Sequence, residues 1–327
     1  MRRRLLHRGL LRCRPMDVVS DAISAVRVGS PSSNRLRVSG DWCVRLTPYE
    51  GAGFHVVLSG SCLLLPDGGG DPVALGPGDV VLLPHGAGHV LADAAAGAAE
   101  LRRAVPFEEV RDTDVRRTGP GPEVELLCGK YRLDRSRTHP LMAELPQVVH
   151  LPHRVGGHPE LRTAVDLLAR ELDERRPGAC LALPSLLDLL LIYLVRAWMA
   201  EADTGAWPAV LNDPVTTAAL RALHSDPAAP WTAGRLAAEA GVSRATLARR
   251  FTKLVGRPPM AYLTWWRLTL AATRLRDSDA PLATVARETG YGSPYALSHA
   301  FSREFGTTPG RYREEVAVRA RWRNDQG

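Results

Sequence analysis

The stretch ETGYGSPYALSHAFSREFGTTPGRYR, residues 288–313, decides the architecture. Gly290 is suited to the left-handed turn that ends one helix, and Ser293 to the N-cap of the next. Pro294 stands at the first helical position, where a missing N–H costs nothing. Beyond it Leu297, Phe301 and Phe305 recur at helical spacing and face inward, leaving Tyr295, Ala296, Ser298 and His299 outside. The segment reads as helix, tight turn, helix.

The pattern has an earlier copy, LAAEAGVSRATLARRFTKLVGRPP at 236–259. Leu247, Phe251 and Gly256 each precede their counterparts Leu297, Phe301 and Gly306 by 50 residues. Thr232 is the first cap, Gly241 the turn, and Ser243 the cap of a helix over 244–255. Leu247, Phe251 and Leu254 line its inner face, and Arg244, Ala245, Ala248, Arg249 and Thr252 its outer one. Between the copies, PPMAYLTWWRLTLAATRLRDSD (258–279) predicts one long helix with a wide buried stripe made by Tyr262, Trp266, Leu270, Leu275 and neighbouring apolar residues. A helix-turn-helix puts the start of its second helix into the major groove, and a stiff connector would hold two such helices about 34 Å apart. Arg249 can pair bidentately with a guanine, which discriminates by roughly 1–3 kcal/mol; His299 and Tyr295 are the comparable residues of the second copy.

Charge supports a polyanionic partner. Residues 208–327 hold 17 Lys+Arg against 10 Asp+Glu, so the whole net charge of +7 lies there. The five cysteines, 13, 43, 62, 128 and 180, form no CxxC pair. Neither zinc finger nor disulfide framework is indicated, which fits a cytoplasmic protein. No uninterrupted apolar run is long enough to predict a membrane span. The basic opening, residues 1–15, reads as a disordered extension, with Met16 as a candidate translation start.

Residues 36–135 read as short strands separated by turn chemistry such as PDGGGDP, the signature of an all-β barrel or sandwich. EEVRDTDVRRTGPGP (108–122) reads as a surface loop before a last strand, EVELLCGKYRL. The period then changes. Leu161, Val165, Leu168 and Leu172 mark one helix, a second covers roughly 183–201, and DTGAWPAVLNDP (203–214) reads as a linker.

Residues 212–315 resemble the DNA-binding domain of AraC/XylS-type transcription regulators, on LAAEAGVSRATLARRF, VGRPPMAYLTWWRL and above all the stretch 288–313. Gly78, Pro84, Gly86 and His89 fit the second cupin motif, G-x5-P-x-G-x2-H. With DWCVRL, FHVVLSGSCLL and LLCGKYRL they make Met16 to about 150 similar to the cupin-like N-terminal domain of one AraC-type subgroup. The expected fold is an α+β two-domain chain: cupin-like sensor at 16–150, helical bridge or dimerisation segment at 151–211, an all-α double helix-turn-helix at 212–316 and a disordered tail at 317–327. The resemblance implies base contacts by Ala245, Ala248, Arg249, Tyr295, Ala296 and His299, with Ser298 on the same face and Arg244 and Arg250 on phosphates. The two alanines offer only apolar contact to a thymine methyl. It also implies promoter DNA, RNA polymerase and an unknown effector as partners, and activation as the outcome.

A full cupin metal site takes two His and a Glu from the first motif. Here that motif keeps only His55, with Ser61 and Cys62 where the Glu would stand, which argues against the alternative of a cupin-type metal enzyme. Three expectations remain for the pocket. His55, His89 and Cys128 converge on zinc or another divalent metal; the imidazoles only hydrogen-bond; or Cys128, its pKa lowered by them, senses oxidants. His85 is expected on an exposed turn.

Overall fold

A computed structural model describes residues 17–107, 116–117, 121–133, 139–174, 176–202 and 206–324. The opening extension and most of the 108–122 loop lie outside the described residues. The chain divides into two compact units, Val26–Pro208 and a second made of the residues up to Ala25 together with Ala209 onward. The first helix, α1 (Val18–Val26), therefore belongs with the C-terminal unit, not with the sensor to which 16–25 were assigned. Its Val18, Ala22 and Ile23 are buried.

The Val26–Pro208 unit is built on strands β1 (Ser32–Ser39), β2 (Cys43–Leu46), β3 (Gly51–Ser59), β4 (Cys62–Pro66), β5 (Val73–Leu75), β6 (Val80–Leu83) and β7 (His89–Asp93). After the short helix α2 (Ala98–Leu101) come β8 (Val105–Pro106), β9 (Arg116–Arg117) and β10 (Glu123–Arg132); α3 (Pro140–Glu144) precedes β11 (Val149–Leu151). They form two sheets, ordered β11-β6-β3-β10-β1-β9 and β5-β4-β7-β2-β8. Residues 116–117 are thus a strand paired with β1, a departure from the loop expected there.

Side chains alternate along a strand, so parity assigns them to the interior. Leu36 and Val38 of β1, Val44 of β2, Val57 of β3, Leu91 of β7 and Leu126 of β10 meet in one core with Trp42. The other faces of β3 and β10 are also covered, which is why Phe54, Val56 and Leu127 are buried too. The cover is helical: α4 (Pro159–Glu174) and α5 (Ala179–Glu201) pack on each other and on β1. Tyr131 donates its hydroxyl to the Leu187 carbonyl of α5 at 2.7 Å. Outside, Glu125 accepts from Arg35 at 2.6 Å and Arg37 at 2.5 Å, and Arg35 also pairs with Asp173 of α4.

The second helix starts four residues before its expected start at 183. Gly178 caps it, and Pro184 sits inside, near enough to the start that only one backbone hydrogen bond is lost. By length and composition α5 could cross a membrane, but Leu187, Leu190, Leu191 and Leu194 are buried inside the unit. The expected linker holds a helix, α6 (Ala206–Asn212), because Trp207 finds a buried site against His139, ring centroids 5.3 Å apart.

The other unit comprises α1 and α7 (Pro214–Ser225), α8 (Ala233–Glu239), α9 (Arg244–Val255), α10 (Pro259–Asp277), α11 (Leu282–Glu288), α12 (Pro294–Phe305) and α13 (Pro309–Asn324). α10 carries the wide buried stripe expected of it, where Leu263, Trp265, Leu268 and Ala271 join Tyr262, Trp266 and Leu275, but Leu270 is only half-buried. On α9 it is Val255 that completes the inner face with Leu247 and Phe251; Leu254 is half-buried, since at i+7 it sits off the axis of that stripe. The tail expected to be disordered from 317 continues α13 as far as Asn324, where alternating Ala and Arg favour helix.

Candidate functional site

The two copies form the same local structure from the same chemistry. Thr232 caps α8 through Arg235 N–H, and Gly241 turns the chain at φ +68°. Ser243 then caps α9 by accepting from Thr246 N–H, as Ser293 caps α12 by accepting from Ala296 N–H. The inner sides are buried through Leu247 and Phe251, and through Leu297 and Phe301. The outer sides leave Arg244, Ala245, Ala248 and Arg249 of α9, and Tyr295, Ala296 and His299 of α12, exposed; Ser298 is half-buried. Tyr295 is 80% exposed, an unusual place for a large ring with no partner surface. A shallow hollow joins Tyr295, Ser298, His299, Ser302 and Arg303. Sequence reasoning missed Arg303, although it stands one turn beyond His299 on the same side.

Arg250 is differently placed. Its Nη1 lies 3.4 Å from Asp213, whose carboxylate caps α7 by accepting from Thr216 N–H at 2.8 Å. Burial works to raise the Asp213 carboxyl, but the Thr216 hydrogen bonding and the Arg250 charge outweigh it and hold it below its ordinary value. Arg250 thus ties α9 to α7 while its side chain stays half exposed. The connector between the copies is pinned by arginines. Arg267 of α10 donates to the Pro227 and Ala229 carbonyls at 2.7 and 2.8 Å, and Arg313 of α13 donates to the Ala280 carbonyl at 2.6 Å.

The barrel unit holds a cavity of about 320 Å³, bordered by His55, His89, Cys128, Tyr49 and Lys130 among others. Gly86 helps to shape its rim. It sits at φ +55°, and a Cβ there would lie 2.2 Å from the Tyr49 carbonyl oxygen, so no other residue fits the turn. His55 and Cys128 face each other across the β3–β10 pairing.

Hydrogen-bond roles inside follow from one carbonyl. His89 Nδ1 lies 3.0 Å from the Ala87 oxygen, which can only accept, so Nδ1 carries the proton and Nε2 of the neutral ring is an acceptor. His55 Nε2 donates to it across 2.8 Å, which leaves His55 Nδ1 to accept the Cys128 S–H at 3.1 Å. Burial, and then the charge His89 would carry, pushes the His55 pKa far down; burial also lowers His89, against opposing contributions from Ala87 and Asp67. Burial pushes the Cys128 thiol up to about 12.

Two expectations are corrected by this geometry. The three donors do not converge on a metal, because Cys128 lies on the Nδ1 side of the His55 ring and His89 on its Nε2 side. Nor does Cys128 have a lowered pKa, because the imidazoles beside it are neutral and desolvation of the thiolate dominates. His85 is half-buried, donating from Nε2 to the Leu145 carbonyl at 2.7 Å, not exposed. Sequence reasoning also passed over Tyr49 and Lys130. The signal for Lys130 was available: it is two residues beyond Cys128 on one strand and so shares its face.

Comparison with known proteins agrees with both halves. A family model described as Cupin matches residues 17–200, and one described as Helix-turn-helix domain matches residues 236–315. The chain is 36% identical over 301 residues to an AraC-like transcription regulator of Streptomyces antibioticus, covering 91% of this chain and 99% of that one. A counterpart from Streptomyces lividans is 36% identical over 305 residues, covering 93% and 100%. The HTH-type transcriptional regulator AlkR of Acinetobacter baylyi is 28% identical over 306 residues, covering 92% and 100%.

Proposed function

This chain belongs to the AraC-like family of DNA-binding transcription regulators, and on that premise we propose that α9 and α12 enter successive major grooves of a promoter while the barrel cavity receives the signal. Arg249 reads a guanine, and Ala245 and Ala248 lie against thymine methyls. Tyr295, Ala296, Ser298 and His299 read the second half-site, and Arg244 contacts phosphate. The observation that carries this reading is the pair of identically capped 12-residue helices, each with its inner side buried and its outer side free.

The signal is a small molecule. A metal would need converging donors and an oxidant sensor a reactive thiolate, and the Cys128–His55–His89 chain offers neither. The barrel acts as a receptor, as suits a chain whose relatives are transcription regulators. The effector must favour one of two arrangements of the protein, since equal affinity for both shifts nothing. The outcome is activation through RNA polymerase in the cytoplasm, with the exposed Leu181 and Leu189 of α5 at the seam of a homodimer.

Genome-wide mapping of bound sites, followed by retardation of the mapped promoter fragments with purified protein, tests the assignment. A shared motif with two half-sites is expected. Equal affinity for all duplexes, with a salt slope set by phosphate contacts alone, would replace it with non-specific coating.

A further inference from the structure

We propose that the barrel cavity is a receptor site for a small organic acid, with the carboxylate held between Lys130 and Tyr49 and the apolar body directed inward. This names the ligand class for the cavity assigned above and rests on that assignment.

Strand register sorts the interior into levels. Leu126 of β10 pairs with Leu36 of β1 and Val57 of β3, which makes an apolar floor. Two residues outward, Cys128 pairs with Asn34 and His55. Two further, Lys130 pairs with Ser32 and Gly53. Tyr49 belongs to this outer level, because its hydroxyl would lie 2.7 Å from a Cβ on Gly53 and Lys130 Nζ sits 5.9 Å from its ring centre.

The charged donor and the unpartnered one lie at that outer level, while the middle level adds only the neutral amide of Asn34. In the middle level the Cys128 proton is given to His55, the His55 proton to His89 and the His89 proton to Ala87. That chain is neutral and closed, so it presents a ligand with no charge and no spare donor. Tyr49 Oη is different: it is buried from solvent and meets no hydrogen-bond partner among the described residues. A buried hydroxyl without a partner costs about 1–3 kcal/mol, so an acceptor beside it is favoured. Lys130 adds a formal positive charge, and burial keeps the Tyr49 phenol protonated as a donor. An ammonium over the phenol ring and an unpartnered phenolic O–H suit a carboxylate. The walls below, Leu36, Val44, Leu46, Leu91 and Phe107, suit hydrocarbon. At about 320 Å³ the cavity is at the small end of ligand sites.

The test titrates the full chain with octanoate and benzoate, each against its methyl ester, by calorimetry. Saturable binding of one acid is expected, at least tenfold tighter than its ester. K130M should weaken that acid at least fivefold and leave the ester unchanged, which also shows that the barrel has folded; Y49F, which removes a donor open to either ligand, should weaken the acid at least fivefold. The aliphatic and aromatic arms distinguish the body that fits. The proposal is overturned if neither acid binds saturably, if acid and ester bind alike, or if K130M binds the acid as wild type does. Each of these, with promoter binding intact, leaves the regulator assignment standing; loss of specific DNA binding by the unmodified chain would remove that assignment instead.

Discussion

Asp21 and His224 are separated by 203 residues in the chain and by 2.6 Å in the fold. His224 Nδ1 donates to the Asp21 carboxylate, its Nε2 faces the Tyr262 hydroxyl at 2.8 Å, and its ring stacks on Trp266 at 4.4 Å. Asp21 and His224 are both buried, so removing the carboxylate takes away the hydrogen-bond acceptor of His224 Nδ1. Asp21→Ala should destabilise the helical unit by about 1–3 kcal/mol, read as an earlier urea transition. An unchanged transition would show that α1 contributes nothing to that unit.

Arg249 and Arg250 are neighbours, and substitution separates the base contact proposed for Arg249 from the ion pair that Arg250 makes with Asp213. Arg249→Ala should cost about 1–3 kcal/mol of DNA affinity and relax preference at one base pair. Arg250→Ala breaks an ion pair that is half exposed on the arginine side, and should cost at most about 1 kcal/mol of stability with base preference kept. Binding to a panel of single-base variants of the promoter distinguishes the two. Equal loss on every sequence for Arg249→Ala would make that residue a phosphate contact.

His299→Ala should relax the second half-site alone, measured on the same panel. A change of preference in the first half-site would contradict the pairing of α9 and α12 with separate grooves.

The buried imidazoles give the barrel unit a pH dependence of known sign. The pKa of His55 and that of His89 lie below the ordinary 6.5, so between the two states the unfolded chain binds more protons as pH falls through 6.5. Stability is therefore full above about pH 7 and declines toward about pH 5. His55→Gln should flatten that decline in thermal melts. Glu125, held low chiefly by Arg35 and then Arg37, adds its own acid sensitivity only nearer its ordinary 4.5.

Gly86→Ala should destabilise the barrel by at least about 1–3 kcal/mol, because a left-handed turn and a backbone clash coincide there. A melting temperature equal to that of the unaltered chain would show that the Tyr49 loop moves aside freely.

What could be read from sequence was what local chemistry decides. α9 and α12 fall at 244–255 and 294–305 as expected because Ser243, Ser293, Pro294 and the flanking glycines set helix ends within a few bonds. The barrel was legible because Gly78, Pro84, Gly86 and His89 have a spacing imposed by one turn. What was not legible depends on distant partners. Nothing near Asp21 announces His224, and nothing beside Arg250 announces Asp213. His55 and Cys128 were correctly brought together, but which ring nitrogen faces which neighbour is set by rotation about a side-chain bond. Spacing along a strand does not encode that choice.

The polypeptide passes from the helical unit to the barrel unit after Ala25 and returns after Pro208. During synthesis α1 therefore emerges from the ribosome first, yet the helices it packs with emerge last. All residues of the barrel unit are therefore made before the groove-reading unit has its full set of helices.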